Sequence, residues 1–106
     1  MNSIKKQVIL LTIRVVAKNY VKPEKSQEFI GLFKKLVEES VKEEGCMDYG
    51  LYQELNNPGI LTTLEEWRDK SSLDNHLNSD HFREIVPLLL EFLEKETEIN
   101  MYTKKF

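Results

Sequence analysis

Trp67, the chain's only tryptophan, and His76 and His81, its only histidines, fall within the stretch LEEWRDKSSLDNHLNSDHF, Leu64 to Phe82. These residue types can do chemistry together. An imidazole with a free pKa of about 6.5 takes up or releases a proton around neutrality. An indole offers a flat apolar wall and a single N–H donor. Gathered within so short a stretch, such residues could line a site. The plainer alternative makes the same residues structural. Trp67 then anchors the end of a strand, His76 answers the carbonyls at a helix end, and His81 stands near a helix N-terminus.

Other reactive types offer less. The two histidines are five apart in the chain, so they do not share a helical face. No acidic residue completes a recognised ligand set with them or with Cys46, and no metal site is expected. Cys46 is the sole cysteine, which excludes an internal disulfide and fits a reducing cytosol. It reads as a small hydrophobe at the start of a strand. Glu65, close in sequence to Arg68 and Lys70, is expected to form a surface or interface ion pair.

The chain has 106 residues, a formal charge of −3 and 41% hydrophobic residues. That is one domain spanning 1–106, with a modest core. Basic residues are dispersed, so no nucleic-acid footprint is expected. No apolar run approaches the roughly 20 residues that span a bilayer. Lys5 and Lys6 ahead of VILLTIRVVA resemble a leader sequence. However, no small-residue cleavage site follows, and NYVKPEK continues into a charged helix, so a cytoplasmic protein is expected.

Periodicity supplies the elements that must position the cluster. Residues 7–18 alternate as a strand, with Ile9, Leu11, Ile13, Val15 and Ala17 on one face and a mixed second face. A helix opens at VKPEKSQEF with Pro23 in its first turn. It carries an apolar stripe through Phe29, Leu32, Phe33, Leu36, Val37, Ser40 and Val41, and Gly45 is its expected left-handed stop. Residues 46–55 and 60–67 form a hairpin around a turn at NNPG, 56–59, with Leu61, Thr63, Glu65 and Trp67 on one face. Next come a short helix capped by Asp69 or Ser71, a second capped by Ser79 and running toward Lys95 with a kink at Pro87, and a last strand from Thr97. LLLEFL, 88–93, exceeds the needs of one helix face and should cover a pocket or touch a partner. The order β-α-β-β-α-β is ferredoxin-like, an α+β fold with helices on one face of an antiparallel sheet. The first strand is aliphatic on both faces, so a homodimer joined through the sheets is expected.

EEGCMDY (43–49), a strand ending LEEW (64–67) and DKSSLDNHLNSDHF (69–82), set in this order of elements, resemble the antibiotic biosynthesis monooxygenase family. The layout is similar to its small quinol monooxygenases over roughly residues 7 to 104. The most specific part is Glu65-x-Trp67-x-Asp69 followed by Leu73-x-x-His76-x-x-Ser79-x-His81-Phe82. The resemblance implies a dimeric α/β-barrel arrangement with a pocket between sheet and helices in each subunit. It implies oxygenation of a quinol or polycyclic phenol by dioxygen without metal, flavin or other cofactor, the substrate supplying the electrons. Trp67 would wall the ring and His76 would accept a proton. Phe33, Leu36 and Phe82 would add apolar wall, and Tyr49, Tyr52 and Asn100 hydrogen bonds.

Two relatives within the superfamily fit less well. The haem-degrading members use a histidine where this chain has Val86, which cannot ligate iron. The phosphosugar isomerase would need a phosphate cradle, and the four glycines are scattered. A non-catalytic dimeric small-molecule-binding or stress-response domain using the same pocket is the main rival expectation.

Overall fold

The structure, a computed structural model, describes residues 11–106. Its strands are β1 (Ile13–Tyr20), β2 (Cys46–Glu54), β3 (Asn57–Trp67) and β4 (Glu98–Thr103). Its helices are α1 (Ser26–Ser40), α2 (Lys70–Leu77) and α3 (Asp80–Leu90), with a 3-10 turn at Pro23–Lys25 leading into α1. The sheet order is β2-β3-β1-β4, and every neighbouring pair is antiparallel. This is the expected ferredoxin-like α+β arrangement. No helix is long and apolar enough to cross a membrane among the described residues.

Several boundaries differ from the sequence expectation. Residues 7–10 of the expected first strand lie outside the described residues. β1 instead continues to Tyr20, because β3 is long enough to give Tyr20 a partner at Ile60. The hairpin turns at Leu55–Asn56 rather than at 56–59. Asn57 already pairs with Glu54, while Gln53 pairs with Leu61, so residues 58–60 bulge from β3. The turn chemistry of Asn-Pro-Gly shapes this bulge instead of the loop. The Gly59 N–H donates to Asn57 Oδ1 at 3.1 Å, and the Gly59 carbonyl accepts from Val21 N at 2.7 Å.

α1 buries Phe29, Phe33 and Leu36 as its stripe requires, but it ends at Ser40, leaving Val41 exposed. Gly45 does not stop it by a left-handed conformation, since no glycine has positive φ among the described residues. Gly45 is required for close approach, because a Cβ there would collide with the Ser72 side chain of α2. The main chain is tied at the same point by Arg68 N donating to the Gly45 carbonyl at 2.9 Å.

Asp69 caps α2 by accepting from Ser72 N at 2.8 Å. Ser79 caps α3 through Phe82 N, and its hydroxyl donates to the His76 carbonyl at 2.7 Å. One side chain thus ends α2 and starts α3. α3 stops at Leu90, three residues past Pro87 and short of Lys95. The chain then folds back so that Leu93 bridges Val21, and Lys22 N donates to the Phe92 carbonyl at 3.0 Å.

Candidate functional site

The inner sheet face follows from the pairing register. Val15 stands opposite Glu65 and Met101, and Ala17 opposite Thr63 and Ile99. Tyr49 stands opposite Glu65 on the far side. These residues, with Phe33 and Leu36 of α1, His76 of α2, and Phe82, Val86 and Leu89 of α3, enclose a chamber of about 280 Å³. Most of the wall is apolar. The polar groups that reach it are Asn19, Tyr49, Thr63, Glu65, His76 and Thr97. Leu89, Leu90 and Leu93 of the 88–93 run line it as well. Its rim is aliphatic, with Ile99 58% and Met101 56% exposed on the uncovered edge strand.

His76 stands in the last turn of α2 and is 1% exposed. Four aromatic rings surround it, among them Trp67 at a centroid distance of 4.5 Å and Phe82 edge-on at 5.1 Å. Its Nδ1 lies 2.6 Å from Glu43 Oε2, and His81 Nε2 approaches the same oxygen at 2.7 Å. An ionised carboxylate only accepts, so both ring nitrogens donate to it. A neutral His76 held in this way carries its lone pair on Nε2, the tautomer a proton acceptor needs.

This cluster corrects the expectation that no acidic residue joins the two histidines. Glu43, from the α1–β2 connection, does so, and α2 and α3 bring together imidazoles that one helix could not. A carboxylate with two imidazoles is a donor set that could hold a divalent cation. The oxygen–nitrogen separations here are those of hydrogen bonds. Two ligands of one zinc ion would stand about 3.3 Å apart.

Trp67 is fully buried and is not on the chamber wall. It lies behind His76, and its Nε1–H donates to Glu65 Oε1 at 2.9 Å. The placement follows from the end of β3, where α2 folds over the indole. Glu65 is not in a surface ion pair. It is 5% exposed and also accepts from Thr63 Oγ1 at 2.7 Å, while Arg68 pairs with Glu44 and Asp69.

Phe33, Leu36, Tyr49 and Phe82 line the chamber. Tyr52 and Asn100 do not. Tyr52 pairs with Thr62 and Asn100 with Val16, all on the opposite sheet face, and Tyr52 is 51% exposed. Burial, reinforced by the charge of Glu65, holds the Tyr49 phenol well above its usual range. The Cys46 thiol is pushed up to about 11, first by burial and then by Glu43.

Glu43, Glu65, Thr63, Asn19 and Thr97 are the polar groups that sequence reasoning missed. For Glu65 a signal existed, since it shares its period-two face with Leu61 and Trp67. Asn19 is held in place, donating to the Leu61 carbonyl at 3.0 Å and accepting from Thr97 Oγ1 at 2.8 Å.

The family model described as antibiotic biosynthesis monooxygenase matches residues 12–88. A crystal structure of a conserved protein from Methanosarcina mazei Go1 is similar at 67% identity and a TM-score of 0.90, covering 94% of this chain and 99% of that one. An uncharacterized protein of Synechocystis, sll1783, is 37% identical over 83% of this chain, which spans 60% of that relative's length. YcnE of Bacillus subtilis, named as a candidate monooxygenase, is 32% identical over 74% of this chain and 83% of its own length.

Proposed function

Because this chain belongs to the antibiotic biosynthesis monooxygenase family, we propose that its chamber oxygenates a quinol or polycyclic phenol with dioxygen, using no metal or flavin. The observation that carries this reading is a chamber of about 280 Å³, largely apolar, with the buried His76 in its wall. Its volume lies near the lower end of small-molecule sites, about 300 Å³. His76 Nε2 takes the phenolic proton, and Glu43 supports the imidazolium that forms. The resulting phenolate is electron-rich enough to pass an electron to dioxygen directly; the phenoxyl radical and superoxide join at a ring C–H carbon as a hydroperoxide, whose O–O bond breaks with loss of water to leave a new carbonyl on the ring. The apolar walls exclude bulk water while this happens. Trp67 keeps His76 in place from behind and does not itself touch the ring.

The reading includes a homodimer. Val16, Leu64 and Ile60 share the outer sheet face with Tyr20, Tyr52 and Tyr102, and no helix covers that face among the described residues. Arg14, Lys18, Glu66 and Glu98 stand among them, and a face that mixes aliphatic, aromatic and oppositely charged side chains suits a second copy of the chain. Sedimentation should give twice the 12.5 kDa chain mass. A monomer at micromolar concentration would remove the dimer from the proposal.

Oxygen uptake by the purified protein with a panel of hydroquinones and anthrone-like phenols tests the activity. Acceleration over buffer autoxidation is expected, undiminished after exhaustive dialysis against a chelator. A panel-wide absence of acceleration would sink the activity, and loss of activity on chelation would sink its metal independence.

A further inference from the structure

The chamber carries one charged group that the proton-transfer reading does not use. Glu65 is 5% exposed, lines the chamber and makes no ion pair among the described residues. A buried carboxylate without a cation needs hydrogen bonds to remain charged. Glu65 has one on each oxygen, from Thr63 Oγ1 at 2.7 Å and from Trp67 Nε1 at 2.9 Å. The pair fixes the orientation of the group, and each oxygen keeps acceptor capacity. Two neighbouring polar groups are committed elsewhere. The Asn19 amide bonds to Leu61 and Thr97, and the Thr63 hydroxyl is spent on Glu65 itself.

An ionised carboxylate accepts hydrogen bonds and donates none. That property separates two ligands with the same carbon frame. A hydroquinone offers O–H donors, whereas its quinone offers only carbonyl lone pairs. We propose that Glu65 reads the oxidation state of the bound ring, accepting a hydrogen bond from the O–H of a quinol or phenol and rejecting the carbonyl of the quinone. This rests on the reading of the chamber as a quinol site. The discrimination comes from repulsion as well as attraction, because the quinone oxygen would be desolvated against a fixed anion that cannot donate to it. A site built this way holds the reduced ring and lets the oxidised one go. The same anion disfavours ligands that bring a carboxylate or phosphate into the chamber.

The test is anaerobic calorimetric titration of the purified protein with 1,4-naphthohydroquinone, 1,4-naphthoquinone and 1,4-dimethoxynaphthalene. The last keeps the two rings and loses both donors. The hydroquinone should bind about tenfold or more tightly than either of the others, the size expected when one buried acceptor goes unsatisfied. Glu65→Gln presents an amide that both donates and accepts, so it should tighten quinone binding and bring hydroquinone and quinone to within about threefold. Equal affinities in the unmodified protein, dimethoxynaphthalene binding as tightly as the hydroquinone, or no binding of any ring would overturn the proposal. A preference that survives in folded Glu65→Gln would do the same. The dimethoxynaphthalene comparison decides the matter if that variant does not fold. Oxygen is excluded, so turnover plays no part. A protein that prefers the hydroquinone but consumes no oxygen keeps this inference and loses the monooxygenase reading.

Discussion

Glu43 and His76, 33 positions apart in the chain, meet through an oxygen–nitrogen contact of 2.6 Å. The carboxylate comes from a connection between elements and the imidazole from the end of a helix. Their meeting depends on the α1–β2 connection lying flat against α2. Glu43→Gln keeps the size of the side chain and removes its charge. The variant should oxidise a responsive quinol about tenfold more slowly with KM little changed, because the lost charge supports an imidazolium that forms only as the proton moves. Steady-state oxygen uptake measures both constants, and an unchanged kcat would free Glu43 from this role.

Gly45 allows that close approach. Gly45→Ala would drive a methyl group into the Ser72 side chain. We expect a loss of about 1–3 kcal/mol, the cost of overpacking a tight contact, read from the urea midpoint. Gly45→Ala combined with Ser72→Gly should recover part of that loss. If the double variant is less stable than the sum of the singles, the clash is not the cause.

Thr63→Val replaces the hydroxyl by a methyl group of the same shape. It leaves Glu65 Oε2 without its 2.7 Å donor while the Trp67 bond to Oε1 remains. Stability should fall by about 1–3 kcal/mol, the penalty for a buried polar group left short of a partner. In the Glu65→Gln background the same change should cost less, so a double-mutant cycle in urea is the informative measurement. Equal costs in both backgrounds would mean that the two side chains do not interact.

Cys46 gives the clearest pH signature. Its thiol is pushed up to about 11, chiefly by burial. The folded state therefore holds the proton more tightly than the unfolded chain, whose thiol titrates at about 8.5. The stability linked to this group is complete below that value and drains away as pH climbs toward 11. Alkylation of the folded protein by iodoacetamide should still be accelerating above pH 10, where an ordinary cysteine has levelled off. A plateau near pH 9 would show an unperturbed thiol.

The elements were legible because periods of two and 3.6 separate cleanly in this chain, and the caps of the two later helices could be narrowed to Asp69 or Ser71 and to Ser79, the structure choosing Asp69. Strand faces were harder. Tyr49 and Tyr52 lie three apart and so point to opposite sides of β2. Choosing between them needs the register against β3, which includes a shift between Cys46 and Asp48. Asn100 has the same difficulty, since only its pairing with Val16 fixes its side. Glu43 could not be found from sequence, because a charged residue in a connection looks solvated until tertiary contacts enclose it. Glu65 was misread for a related reason. A carboxylate reads as surface unless the donors on either side of it, Thr63 and Trp67, are seen to face it.

The buried polar groups of the chamber and its entrance come from different parts of the chain. Glu65 and His76 sit on β3 and α2, whereas the rim is built from the end of α3 and from β4, which among the described residues pairs only with β1. Substitutions at Leu90, Ile99 or Met101 can therefore widen, narrow or re-tilt the doorway while Glu65 and His76 stay as they are. A lineage built on this plan can change the size of what its chamber admits by small steps along one edge strand and keep the chamber's buried polar groups.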